Sequence, residues 1–320
     1  MKQLTVKAND AGQRVDKFLT KAFPSLPQAM LYKGIRTKNI KLNRKRCQIS
    51  DRLNEGDILE VYLPDDVLTP PEYRFDFLKA SKSLEIAYED ENILIADKKP
   101  GVIVHPDEEY QSDTLIARIQ RYLYEKKEYD PDAENSFAPS LVNRIDRNTG
   151  GLVIAAKTAS ALRILNQKMK DREIKKEYLC IVHGVPKKKE ATLTGYLVKN
   201  ESQNRVYIDE KKSDSAKTIK TKYKVLASKN DISLVEVDLL TGRTHQIRAH
   251  MASIGHPLLG DGKYGTNALN KGTGYTKQAL YSYKMTFEFT TDAYELEYLN
   301  GKVIKAKNVP FIKEFPEYKI

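Results

Sequence analysis

The stretch Asn143-Arg-Ile-Asp-Arg-Asn-Thr-Gly-Gly-Leu-Val-Ile-Ala-Ala156 joins the densest group of polar side chains in this sequence to a run of apolar ones. The apolar end predicts a strand buried on both faces, because such strands are short and uninterrupted by polar residues. At the polar end, Arg144 and Arg147 flank Asp146 and favour its ionised form. The Gly-Gly pair between the two ends lets a bulky group approach the backbone closely. The stretch therefore predicts a functional carboxylate at the entrance to a central strand, with an Asx-type turn carrying surface ion pairs as the alternative.

The segments on either side of this stretch predict a sheet built largely from hairpins. Residues 84–96 are predicted to form two strands separated by a polar turn, and a helix is predicted after Thr158, whose hydroxyl can cap it. Further strands are predicted at 178–182, 218–226 and 232–240. Because strands outnumber helices and include hairpins, the expected fold class is α+β with a mixed or antiparallel sheet.

A second polar group lies in Thr241-Gly-Arg-Thr-His-Gln-Ile-Arg-Ala-His250. The spacing of apolar residues predicts a helix over 244–254, with Thr244 as its N-cap. The free amides at the helix start, together with Arg243 and Arg248, would form a corner that attracts anions. The alternative is a capped amphipathic helix with solvated arginines. The two histidines do not have the i, i+4 spacing of paired zinc ligands on a helix, so no metal site is expected.

Most of the net charge lies near the start of the chain. The whole chain carries +11, and its first fifty residues hold 12 lysines and arginines against 2 acidic residues. Helical spacing at 13–23 and 28–36, followed by short strands and an Asn-Arg turn, predicts a small α/β domain whose basic side chains point outward. We expect this domain to span 1–66, a linker 67–83, and a second domain 84–320. A one-sided basic surface attracts polyanions such as nucleic acids, although a merely solvated surface would have the same composition.

Composition excludes several classes of protein. Apolar residues make up 40% of the 320, which is enough for a sizeable core, and charged residues make up 30%, which indicates a soluble surface. No apolar run approaches the roughly 18 residues of a membrane helix, and the first residues do not resemble a signal peptide. The two cysteines, Cys47 and Cys180, are too few for a disulfide framework. We therefore expect a cytoplasmic protein with no membrane partner and no metal.

These motifs resemble those of the RluA-type pseudouridine synthases. Residues 143–152 are similar to the family signature His-Arg-Leu-Asp-x-x-Thr-Ser-Gly-Leu, and residues 88–106, which contain Asp-Lys-Lys-Pro-Gly and end in His-Pro, are similar to its first motif. Lys176-Glu-Tyr178 resembles the tyrosine-bearing strand of the family, and residues 241–265 resemble its third motif. The basic domain resembles the alpha-L RNA-binding fold of a small-subunit ribosomal protein, through its layout and through Gln13-Arg-Val-Asp-Lys-Phe-Leu19.

The resemblance implies an RNA pseudouridine synthase that uses no cofactor. By position, Asp146 matches the catalytic aspartate, Arg248 the buried arginine that pairs with it, and Tyr178 the tyrosine that packs on the target base. Arg144 matches an arginine that enters the RNA where the flipped nucleotide leaves it. The side chains expected to bind RNA are Arg14, Lys33, Arg36, Lys38, Arg44, Lys45, Arg46, Arg144, Arg243 and His245.

Two positions depart from the family pattern, and several properties stay open. The family usually has His where Asn143 stands and Ser where Gly150 stands, and neither position carries the nucleophile. The expected partner is structured RNA, with large-subunit ribosomal RNA as the first choice and transfer RNA as the alternative, and the expected state is a monomer. The alternative function is a non-catalytic RNA-binding factor in ribosome assembly. The joint presence of Asp146, Tyr178 and Arg248 favours the enzyme.

Overall fold

A computed structural model describes residues 1–69, 72–106, 112–200, 205–209, 211–214 and 216–319. These residues form one sheet of four strands and one of eleven. The strands are β1 (Lys2–Thr5), β2 (Ile40–Leu42), β3 (Lys45–Arg46), β4 (Ile58–Val61), β5 (Ile86–Glu89), β6 (Ile93–Lys98), β7 (Ser140–Leu141), β8 (Gly150–Ala156), β9 (Ile174–His183), β10 (Glu190–Asn200), β11 (Arg205–Asp209), β12 (Lys217–Lys229), β13 (Ile232–Asp238), β14 (Leu280–Phe287) and β15 (Val303–Lys305). The α-helices are α1 (Val15–Ala22), α2 (Gln28–Arg36), α3 (Leu115–Glu125), α4 (Ala159–Asp171), α5 (Gln246–Ser253) and α6 (Asn267–Asn270). Short 3-10 helices span Asp65–Leu68, Glu72–Lys79, Tyr294–Leu299 and Pro310–Glu314.

The small sheet has the antiparallel order β1-β4-β2-β3 and packs with α1 and α2 around its own core. Both helices lie where the apolar spacing predicts them. Asn43 and Arg44 form the two-residue loop between β2 and β3, with φ of 51° and 63°. Positive φ at both positions is the type I′ geometry that matches the twist of a hairpin. The turn therefore leaves Arg44, Lys45 and Arg46 exposed.

The large sheet has the order β11-β10-β12-β13-β9-β14-β8-β6-β5, with β7 and β15 paired at its side. All neighbouring pairs are antiparallel except β8 and β14, which are parallel, so the predicted α+β class with a mixed sheet is confirmed. Along β8, Leu152 and Ile154 face the core that α4 covers. Val153 and Ala155 face the opposite core, which α3 and α5 cover. The candidate site described below lies on this second side of the sheet.

The segment predicted as a linker packs against both domains: Val67 and Leu68 join the core of the small domain, and its later residues contact the large domain. Within 67–83, residues 70 and 71 lie outside the described part, and Glu72–Lys79 forms a 3-10 helix. Phe77 and Ala80 are buried against α3. Helix α3 was not predicted, although Thr114 caps it and its apolar residues follow helical spacing. A pattern of Leu115, Ile119 and Leu123 after a threonine could have revealed it.

Side-chain hydrogen bonds tie the small sheet to the large one. The buried Asp10 carboxylate accepts hydrogen bonds from Asn135 Nδ2 and Ser136 Oγ, each at 2.6 Å. Asn9 Oδ1 accepts from the backbone N–H of Ala159, at the start of α4, at 3.0 Å. These contacts give the basic surface a defined position relative to the large sheet.

Two further observations concern the whole described chain. Cys47 and Cys180 are both buried free cysteines. In the described residues, no helix combines the length and the apolar character needed to cross a membrane.

Candidate active site

The predicted carboxylate lies in the loop between β7 and β8, beside a buried arginine from α5. Arg248 Nη1 donates to Asp146 Oδ2 at 3.1 Å. The same guanidinium donates from Nε and Nη2 to both carboxylate oxygens of Asp261, at 2.7 and 2.9 Å. Asp261 is fully buried, Arg248 is 7% exposed, and the Asp146 side chain keeps a quarter of its surface exposed. Arg248 thus holds two carboxylates, of which only Asp146 faces solvent.

The surroundings of the ion pair between Arg248 and Asp261 stabilise its charged form. Burial raises the pKa of Asp261, but hydrogen bonds from Arg248 and from the backbone N–H groups of Lys263 and Tyr264 more than offset this and keep the pKa below its ordinary value. A buried guanidinium that makes two parallel hydrogen bonds to a carboxylate is rigidly oriented. Asp261 therefore fixes the arginine that contacts Asp146. No role was predicted for Asp261, although it lies within residues 241–265, which resemble the third family motif.

The start of α5 differs from the prediction. Thr244 does not cap the helix: the N-cap is His245, whose φ of 53° lies in the left-handed region. Gln246 is turned back instead, so that its Oε1 accepts from Thr241 Oγ1 at 2.8 Å and from Arg243 N at 3.2 Å. Arg248 was also expected to help form an anion-binding corner. It already binds the carboxylates of Asp146 and Asp261, so that part of the prediction is wrong.

His245 lies beside Asp146 in the described structure. Its Nε2 is 3.8 Å from Asp146 Oδ2, and its Nδ1 is 3.0 Å from the hydroxyl of Tyr264. Burial lowers the pKa of His245, and the neighbouring Asp146 carboxylate opposes that effect. The side chain is only 12% exposed. A residue predicted to bind RNA therefore forms part of the wall around the carboxylate.

Tyr178 occupies the same side of the sheet, on β9. Its side chain is buried in the core that contains Ile145 and Ile247, the neighbours of Asp146 and Arg248 in sequence. Burial raises the pKa of Tyr178 to about 12, and the Asp146 carboxylate adds to this effect. The phenol therefore keeps its proton at neutral pH and can pack against an uncharged ring.

A buried lysine holds the loop that carries Asp146. Lys98 lies at the end of β6 with 1% of its surface exposed. Its Nζ donates to the carbonyls of Lys99, Val102 and Arg147, at 3.1, 2.7 and 2.9 Å. Burial lowers the pKa of Lys98 to about 7, while Asp146 opposes the change. The three carbonyl acceptors match the three N–H donors of an ammonium group. Lys98 lies within residues 88–106, which resemble the first family motif, but no role was predicted for it.

Strand β14 lies very close to the glycine pair that begins β8. A Cβ on Gly150 would lie 2.3 Å from the ring of Tyr281, and one on Gly151 would lie 2.2 Å from the carbonyl oxygen of Ser282. Gly151 also has a φ of 109°, which other residues rarely adopt. The bulky group that these glycines admit is therefore β14, which pairs in parallel with β8. Nearby, Asn143 is buried and its Oδ1 accepts from Ile154 N at 2.8 Å, so this departure from the family pattern supports the strand.

The contact of Gly150 with Tyr281 leads to a stability prediction. We expect Gly150→Ser, the residue that the family usually has, to lower the free energy of unfolding by about 1–3 kcal/mol, because the new Cβ overlaps the aromatic ring. Gly262→Ser is the matched control, since nothing lies within 4 Å of a Cβ at Gly262. Chemical denaturation of both variants measures the difference. Equal stabilities would show that Tyr281 moves aside without cost.

The remaining residues predicted to bind RNA fall into two groups. Arg144 and Arg243 are exposed on the large domain. Arg14 is half-exposed, and its guanidinium donates two hydrogen bonds of 3.0 Å to Asp16. It is therefore less available to bind RNA than the other basic side chains predicted on the small domain. The exposed members on the small domain are Lys33, Arg36, Lys38, Arg44, Lys45 and Arg46.

Comparisons with known proteins identify the family of this chain. The model of the RNA pseudouridylate synthase family matches residues 92–253, which include Asp146, Tyr178 and Arg248. An uncharacterised RNA pseudouridine synthase of Mycoplasma capricolum is 33% identical over 95% of this chain and 97% of that protein. The ribosomal large subunit pseudouridine synthase C of Buchnera aphidicola is 34% identical over 81% of this chain and 79% of that protein.

Solved structures share the fold. Human RNA pseudouridylate synthase domain containing 4 superposes with a TM-score of 0.56 at 20% identity, over 71% of this chain and 89% of that one. Human RNA pseudouridylate synthase domain containing 1 gives 0.53, over 74% and 94%. The family model spans about half of the chain, and relatives above 30% identity span most of it. The chain therefore belongs to the RNA pseudouridylate synthase family and is an isomerase that acts on RNA.

Proposed function

We propose that this protein converts uridine to pseudouridine in large-subunit ribosomal RNA, with Asp146 as the catalytic residue. The observation that carries the proposal is the partly exposed Asp146 carboxylate, held by a buried arginine that Asp261 fixes from behind. Such a group is held in one orientation and is open to a substrate on one side. Relatives named ribosomal large subunit pseudouridine synthase C, from Buchnera aphidicola and Vibrio parahaemolyticus, support this class of target.

The reaction exchanges one bond of the base for another. The bond from N1 of the uracil to C1′ of the ribose breaks, the ring turns, and a bond from C5 to C1′ forms. C5 loses its hydrogen and N1 gains one, so the product is an isomer of the substrate. In this proposal Asp146 acts on the target uridine, and Arg248 orients its carboxylate. Tyr178 packs on the base and can exchange a proton through its phenol.

A pseudouridine map of total RNA tests the substrate. The map would compare cells that lack this protein with cells complemented by the parent or by Asp146→Asn. We expect sites in large-subunit ribosomal RNA to vanish and to return only with the parent. Lost sites in transfer RNA would instead support the alternative target. A map that does not change would overturn the proposal.

The same proposal divides the chain by task. Residues 1–66 would bind structured RNA, 67–83 would connect, and 84–320 would carry out the reaction, in the cytoplasm and as a monomer. The exposed cations of the small domain and the Asp10 contacts to the large domain support this division. Because the small domain has a defined position, its basic surface would present the RNA at a set distance from Asp146.

Neutralising the hairpin cations tests that surface. We expect Arg44→Gln, Lys45→Gln and Arg46→Gln together to weaken RNA binding and to flatten its salt dependence. The slope of log K against log[salt] should change by about 0.7–0.9 for each phosphate contact that is lost. Binding measured across a salt series gives the slopes. The exposed run Lys187-Lys188-Lys189 offers a control of equal charge change. Equal slopes for parent and hairpin variant would exclude these contacts.

A further inference from the structure

His245 lies between Tyr264 and the Asp146 carboxylate, with one ring nitrogen facing each of them. The hydroxyl oxygen of Tyr264 accepts a hydrogen bond from the backbone N–H of Val206 at 3.0 Å. The same oxygen is 3.0 Å from His245 Nδ1. A backbone N–H can only donate, so the phenol keeps its own hydrogen, and Nδ1 is an acceptor within hydrogen-bond distance of it.

This direction requires a neutral phenol and a neutral imidazole, and the surroundings favour both. Burial raises the pKa of Tyr264 and lowers that of His245. The charged groups that face the imidazole are Asp146 and Asp261, which favour its protonated form, and Arg248 and Lys263, which oppose it. With Nδ1 as acceptor, the single ring hydrogen of a neutral His245 lies on Nε2, the atom that faces Asp146 Oδ2 at 3.8 Å.

The position of the ring is held from several sides. His245 has a left-handed backbone at the first turn of α5, a conformation that costs energy for a residue other than glycine. The guanidinium groups of Arg205 and Arg248 lie 5.1 and 5.2 Å from the centroid of the Tyr264 ring, within cation–π distance. The imidazole packs edge-on against the same ring at 5.7 Å. A strained backbone that packing holds in place beside a candidate catalytic residue indicates a functional role for His245.

We propose that His245 is a positioning residue for Asp146, with its Nε2–H aimed by Tyr264. Arg248 and His245 both face Oδ2, so Oδ1 is the oxygen that meets the uridine. At 3.8 Å the N–H does not yet make a hydrogen bond, and contacts of this kind shorten when substrate closes the site. This inference rests on the proposed function of Asp146.

Asn is the informative replacement for His245. The Asn side chain tolerates a left-handed backbone, and its oxygen can accept the Tyr264 hydroxyl hydrogen, but it is too short to reach Asp146. We expect His245→Asn to lower kcat by about 10- to 100-fold with little change in KM, as for a misplaced reacting group. His245→Gln, which can place an N–H near the position of Nε2, should recover part of this loss.

A double-mutant cycle separates positioning from packing. Tyr264→Phe keeps the ring and removes the hydroxyl, so we expect it to lower kcat in the parent and to have no further effect in the His245→Asn background. Tyr275→Phe removes a comparable hydroxyl, which bonds Glu314 at 3.0 Å, and serves as the control. Additive losses, or a rise in KM instead of a fall in kcat, would overturn the inference. A parent that makes no pseudouridine would overturn the proposed function instead.

The tautomer of His245 can be measured without an activity assay. The chain has 5 histidines, so ¹⁵N spectra of imidazole-labelled protein are simple, and His245→Asn identifies the signal of interest. We expect the parent at pH 7.5 to show His245 protonated on Nε2 and bare on Nδ1. Tyr264→Phe should convert this signal to a mixture of tautomers. A parent signal protonated on Nδ1, or on both nitrogens, would refute the arrangement.

Discussion

The Asp146→Asn variant is expected to lose pseudouridine formation while it binds RNA about as tightly as the parent. Asn has the same size and can still face Arg248, but it offers no negative oxygen to the uridine. A group that acts in the transition state contributes to turnover and little to binding of the ground state. Loss of a residue that acts directly on the substrate costs about 10²–10⁴-fold or more. Single-turnover assays and RNA titrations with the same transcript measure the two quantities.

Asp171→Asn is a suitable control for this prediction. Asp171 ends α4, and its carboxylate is an exposed partner of Gln167. Full turnover in this control excludes a general effect of removing one negative charge. If Asp146→Asn still forms pseudouridine, the carboxylate is not the catalytic group. If parent and variant are equally inactive on every RNA but bind it, the non-catalytic assembly factor becomes the better explanation.

The second large effect is expected from Arg248→Met. Methionine fills a similar volume but leaves the fully buried Asp261 without its cation. Breaking a buried ion pair in this way costs about 3–5 kcal/mol of unfolding free energy. Turnover should also fall strongly, because Asp146 loses the guanidinium that holds its carboxylate in place. Denaturation curves and single-turnover rates report the two losses.

The stability loss of Arg248→Met should depend on pH. Without the guanidinium, burial is opposed by the backbone N–H groups of Lys263 and Tyr264, and we expect the pKa of Asp261 to rise above its value in the unfolded chain. A folded-state pKa that is raised gives stability that is present at low pH and lost as pH rises through it. The deficit should therefore be smaller at pH 5 than at pH 8. Arg243→Met, at an exposed arginine of the same segment, should change stability by less than about 0.5 kcal/mol at both pH values. A deficit independent of pH would show that Asp261 does not stay buried.

Local patterns predicted the elements in which near neighbours decide the structure. Helices α1 and α2, the Asn43-Arg44 turn and the Thr158 cap all depend on contacts within a few residues of the chain. The quoted motifs were enough to identify the family and to select Asp146, because each motif is a short run of residues that can be recognised without the fold. Helix α3 was missed although its pattern was present. The predicted start of α5 was wrong, because His245, with a left-handed backbone, precedes the helix and no side chain caps it.

The candidate site itself depended on contacts between distant segments. Arg248 reaches Asp146 across 102 positions of the chain, and Lys98 reaches the carbonyl of Arg147 across 49. The strand that fills the space beside the glycine pair is β14, which lies far along the chain. The sequence by itself thus determined the family, the local elements and the catalytic candidate, since these depend on residue identity and near spacing. Only the tertiary structure decided which groups hold that candidate, because sheet order and helix packing bring together side chains that no local spacing relates.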